Sequence, residues 1–216
     1  MSAFRAAGRS RIDWRRAEFL LVGLGFVGFV TLPIRVTTVY SGLPAHPLFI
    51  HVPVVLIPLS ILGALAGVAR PAWLERYGVP LCGIAIVGMS SIFLSMQAGA
   101  ALESALGLRD DPLITQHSHY AHLLAFAFVA FTAILILTFA ATRITGAPGP
   151  TGLTPADRIL SAPATLLALR IALVALALLS AYLVFKVGDL GAKAVWSGRL
   201  HGGLGSGGVY GPSAAP

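Results

Sequence analysis

The chain has 216 residues, 56% of them hydrophobic and only 11% charged, a surplus of apolar surface that a water-soluble fold of this size cannot bury. Its formal charge of +7 does not indicate a nucleic-acid partner, because Lys and Arg flank apolar runs instead of forming a polar face interleaved with aromatics. They read as topology signals and as attraction to anionic lipid headgroups. Cys82 is the only cysteine, which excludes an internal disulfide and a Cys-based zinc or iron-sulfur centre within one chain.

Residues 1–16 form a basic N-terminus with Arg5, Arg9, Arg11, Arg15 and Arg16. An apolar run follows, and residues 17–40 are expected to form an uncleaved N-terminal transmembrane helix, since no small-x-small cleavage site lies close behind the run. The Arg15-Arg16 pair reads as the flank that keeps this end in the cytoplasm.

Four further apolar runs, Leu48 to Val68, Val79 to Leu102, Tyr120 to Ala141 and Thr165 to Val187, each match the roughly 20 residues a helix needs to cross the hydrocarbon core. Their links are short and carry turn residues, as in Arg70-Pro71, Arg109-Asp110-Asp111-Pro112 and Gly146-Ala147-Pro148-Gly149-Pro150. The expected fold is therefore all-α and membrane-integral, a four-helix up-down bundle over residues 42–200 plus the N-terminal helix, five spans in all. Small residues on the second bundle helix (Gly83, Gly88, Ser90, Ser91, Gly99, Ala100) should let neighbours approach closely. Pro53 and Pro58 on the first are expected to face the interior, where protein satisfies the carbonyls they free. Residues 202–216, rich in Gly, Ser, Pro and Ala, read as a flexible tail.

With five spans and a cytoplasmic N-terminus, ten Lys and Arg fall inside and five outside, as the positive-inside rule requires. The expected location is the plasma membrane, with the C-terminus outside. All six histidines then meet one face, the outer one. His46 and His51 open the first bundle helix, His117, His119 and His122 open the third, and His201 follows the fourth.

The first and third bundle helices run the same way and occupy diagonal corners. His51 and His122, each about a turn inside, stand at similar depth and are positioned for axial coordination of haem b iron from opposite sides. His46 and His117 repeat the relation five residues earlier, a rise of about 7.5 Å that is tight for a second macrocycle. In an alternative reading, His46, His51, His117, His119 and His122 with Met96 form a copper or zinc centre. Glu103 and Asp189 fall at the same face as partners that orient an imidazole, with pairing to Lys186 or Lys193 the alternative for Asp189. The plainer alternative is interfacial polar residues or caps on a cofactor-free anchoring subunit of a larger membrane redox complex. Arg170 and Lys186 are explained by snorkelling, and nothing identifies a substrate or a reaction.

The segment Gly42-Leu-Pro-Ala-His46-Pro47-Leu-Phe-Ile-His51-Val-Pro53 resembles the opening of a bacterial family of predicted membrane proteins, domain of unknown function 2231. Members begin their first bundle helix with His-Pro, a few apolar residues, His and Pro. A small-residue Gly motif near the end of the second helix is matched by Gln97-Ala98-Gly99-Ala100, and a histidine opening the third by His122. A closing Gly-Gly-x-x-Val-Tyr stretch is matched loosely by Gly191 to Trp196, with Ala192 where a second Gly is usual and Trp196 where Tyr is usual. The resemblance spans about residues 42 to 200. Some members are joined to Rieske-type or cytochrome c-type modules, which implies redox work for those relatives; no such module is seen in this sequence.

Overall fold

The computed structural model describes residues 22–27, 39–40, 43–145 and 154–201. Two-residue strands β1 (Val39–Tyr40) and β2 (Leu43–Pro44) pair antiparallel. They lead into α1 (Ala45–Phe49), α2 (His51–Ala69), α3 (Pro71–Leu106), α4 (Pro112–Thr145), α5 (Pro155–Ser161) and α6 (Pro163–His201). Four stretches are long and apolar enough to cross a bilayer: α1 with α2, α3, α4, and α6 as far as Trp196. The chain is thus an all-helical, multi-pass membrane protein with four such spans among the described residues.

A fifth span is not supported. Residues 22–27 are helical, with Val22 and Phe26 packed against the bundle, and most of the N-terminal run lies outside the described residues. That run cannot extend as helix to Tyr40, because Val39 and Tyr40 are held in the β1–β2 pair. The basic N-terminus, the Gly146–Pro150 link and the tail from residue 202 also lie outside the described residues.

The spans are longer than hydropathy alone predicts, since α3 has 36 residues and reaches about 54 Å, well beyond a hydrocarbon core of roughly 30 Å. Its limits are set by backbone chemistry. Pro71 starts α3, where its missing N–H costs nothing. Gly107, at φ 67°, ends it in the left-handed conformation and donates back to the last turn. The Asp111 carboxylate then accepts from the N–H groups of Leu113 and Ile114, at 2.8 and 3.2 Å, and opens α4.

In cross-section the spans form a closed ring in which α2 packs on α3, α3 on α4, α4 on α6, and α6 on α2. The diagonal pairs are therefore α2 with α4 and α3 with α6. Phe128, Phe131, Leu135 and Phe139 of α4 fill the centre with Ile57, Met89 and Leu173, all fully buried. Phe126 and Phe185 are 74% exposed, which is stable only where lipid replaces water. Pro53 faces the interior as expected, but Pro58 is exposed. Five residues turn a helix by about 140°, so the two rings cannot share one face.

Candidate functional site

At the end of the bundle where α2 and α4 begin, two histidines from diagonal positions meet. His46 of α1 and His117 of α4 are both partly buried, with ring centroids 6.2 Å apart and planes at 90°. Each ring lies on the backbone of a neighbouring helix. His46 donates from Nδ1 to the Ser95 carbonyl of α3 at 2.8 Å, and His117 from Nδ1 to the Val187 carbonyl of α6 at 3.0 Å. A carbonyl can only accept, so Nδ1 carries a proton in each ring, and Nε2 is the nitrogen left to act as a ligand. The carbonyls fix both tautomers and orient both rings, as the outer partners of a metal-bound imidazole do.

The two seats are built alike. A helical side chain covers the turn N-terminal to its own Cα, so residue i+4 overlies the carbonyl of residue i. One turn beyond Ser95 stands Gly99, and one turn beyond Val187 stands Gly191. A Cβ on Gly99 would sit 3.0 Å from His46 Nδ1, and one on Gly191 would sit 3.2 Å from His117 Cε1. The absent side chains uncover the two acceptors and make room for the imidazoles. Other small residues of α3 act differently: Gly88 admits Leu56 and Phe128, whereas nothing approaches Gly83.

Of the two facing pairs that the spacing allows, His51 with His122 and His46 with His117, the structure brings the second together. His51 and His122 are exposed, and His122 Nδ1 is turned onto the Ser118 carbonyl of its own helix, at 2.8 Å. His119 is exposed, its ring edge-on to Tyr120 with centroids 5.6 Å apart. His201 closes α6, and its side chain lies outside the described residues. Met96 packs partly buried against the apolar core. Asp189, for which the alternatives are orienting an imidazole or pairing with Lys186 or Lys193, pairs with Lys193 at 2.8 Å, while Lys186 lies over the Tyr120 ring at 5.7 Å. Half-buried Glu103 belongs to the last turn of α3, where its carbonyl accepts from Leu108. Backbone carbonyls do the orienting that was assigned to carboxylates. The only sequence signal for them is the glycine one turn further on.

Among the described residues no group of three or more His, Cys, Asp or Glu converges on one point. Among the described residues the centre is a pair of imidazoles, two ligands for any ion held there. No curated protein and no solved structure matches the chain. Its family model does match: over residues 42–203, which include both histidines and both carbonyl seats, the chain belongs to the family described as predicted membrane protein (DUF2231).

Proposed function

We propose that this protein is a membrane-embedded b-type cytochrome in which His46 and His117 are the axial ligands of haem iron, carrying electrons close to one face of the bilayer. The carrying observation is the separation of the two rings. Imidazoles on opposite sides of one ion, with bonds of about 2.0–2.1 Å, hold their centroids roughly 6.4 Å apart, whereas a tetrahedral angle brings them to roughly 5.2 Å. The 6.2 Å separation is one that two imidazoles bound to a single ion can have, and the Nδ1 contacts with Ser95 and Val187 leave Nε2 of both rings for it. Two protein ligands suit an ion whose other four positions are filled by a macrocycle. The haem would supply the redox couple, and the chain would fix ligand tautomer, ring orientation and access to water.

With an N-terminal crossing added to the four spans, ten basic residues against five would put the histidine face outside, and electron donor and acceptor are proposed to meet the protein on that side. The test is an optical spectrum and pyridine haemochrome assay on protein purified from its own host membrane. A Soret band is expected in the wild type and in His51→Ala and His122→Ala, and its loss in His46→Ala and His117→Ala. Protein without haem overturns the reading. Stoichiometric copper or zinc by elemental analysis would then identify a metal-handling protein, and neither haem nor metal an anchoring subunit.

A further inference from the structure

At the opposite end from the histidines, α2 and α3 leave between them a groove of about 310 Å³. Its wall includes Leu59, Gly63, Ala66 and Ile84, and its rim carries the half-exposed rings of Trp73 and Tyr77. Each ring has an arginine over it. The guanidinium carbon of Arg70 is 5.5 Å from the Trp73 centroid, and that of Arg76 is 5.5 Å from the Tyr77 centroid. A stacked guanidinium keeps its in-plane N–H groups available for a phosphate.

We infer that this groove binds one anionic phospholipid, with an acyl chain along the α2–α3 wall and the headgroup phosphate at Arg70 and Arg76. Charge complementarity selects the occupant. This end carries Arg70, Arg76, Arg143 and Arg158 against the carboxylates Glu75 and Asp157, and Asp157 is engaged in capping α5. Glu75 precedes Arg76, but no ion pair joins them. The cationic head of a zwitterionic lipid is repelled by such a cluster, and an anionic head is not. A quinone is a poorer fit, because the groove offers no side-chain donor below its aromatic rim for a quinone oxygen. An interhelical pocket rimmed by Arg, Trp and Tyr near the helix ends is the combination that suits the headgroup region of a bilayer.

The full chain, reconstituted in nanodiscs of equal phosphatidylglycerol and phosphatidylcholine and released for native mass spectrometry, tests this directly. Phosphatidylglycerol should dominate the retained lipid, and Arg70→Gln and Arg76→Gln should each lower that preference about five-fold. Arg158→Gln, at the same end but on α5, should leave it unchanged, while Ala66→Phe, which fills the groove, should abolish retention of both lipids. Equal retention of the two lipids by the wild type overturns the inference. So does an unchanged preference in the double arginine variant, or a loss in Arg158→Gln as large as in Arg70→Gln, which would mean diffuse surface attraction. None of these readouts depends on haem.

Discussion

A ring that docks on the side of a helix needs an acceptor, and helices keep their carbonyls beneath the side chain one turn further on. Gly99 and Gly191 lift that cover for His46 and His117 respectively. Gly99→Ala places a methyl 3.0 Å from Nδ1 of His46, in the path of its bond to Ser95. Nitrogen-15 spectra of histidine-labelled protein should then show His46 losing its fixed Nδ1–H tautomer while His117 keeps it, with Gly191→Ala doing the reverse. An unaltered His46 signature in Gly99→Ala would mean that the glycine serves only helix packing. These spectra need no bound cofactor, so they test the seats separately from the haem proposal. The glycines were legible in the sequence as small residues; the acceptors were not, because every residue has a carbonyl and only packing reveals which one is reached.

At the scale of elements, apolar length identifies the four spans, but hydropathy cannot register where they stop. The outer turns of α3, α4 and α6 lie beyond the apolar runs, in polar sequence that carries the start and stop signals. Removing one of these signals should be felt as a loss of cap energy: Asp111→Ala leaves the Leu113 and Ile114 donors without their partner and is expected to cost about 1 kcal/mol. Helix contacts offer a harsher test. A side chain on Gly78 of α3 would enter the ring of Phe139 on α4, so Gly78→Ala should destabilise the bundle by about 1–3 kcal/mol through overpacking. Thermal unfolding in detergent measures both, and the larger shift should belong to Gly78→Ala. Pro58 shows the limit of composition at this scale, since its kind predicts a kink but not the face on which it falls.

In the whole molecule, the α2–α3 and α4–α6 hairpins repeat one design, with a histidine before or near the start of the first helix seated on a carbonyl and a glycine near the end of the second. The repeat is hidden in the sequence because the two hydrogen bonds close intervals of 49 and 70 residues, the second lengthened by α5 and its connections. If the histidine face is external, reporter fusions in the link after Arg143 should be active only in their cytoplasmic form, and a fusion at the loop around Asp110 only in its exported form. The opposite pattern would reverse the proposed orientation. Membrane residence, span number within the bundle and the diagonal relation of the histidine-bearing helices follow from the sequence, because the bilayer demands about 20 apolar residues per crossing and short links force antiparallel neighbours. Which histidine of each five-residue pair turns inward was decided only by tertiary packing. Residues five apart point about 140° away from each other, so one faces in and the other out, and helices that are apolar all round carry no hydrophobic stripe to mark the phase.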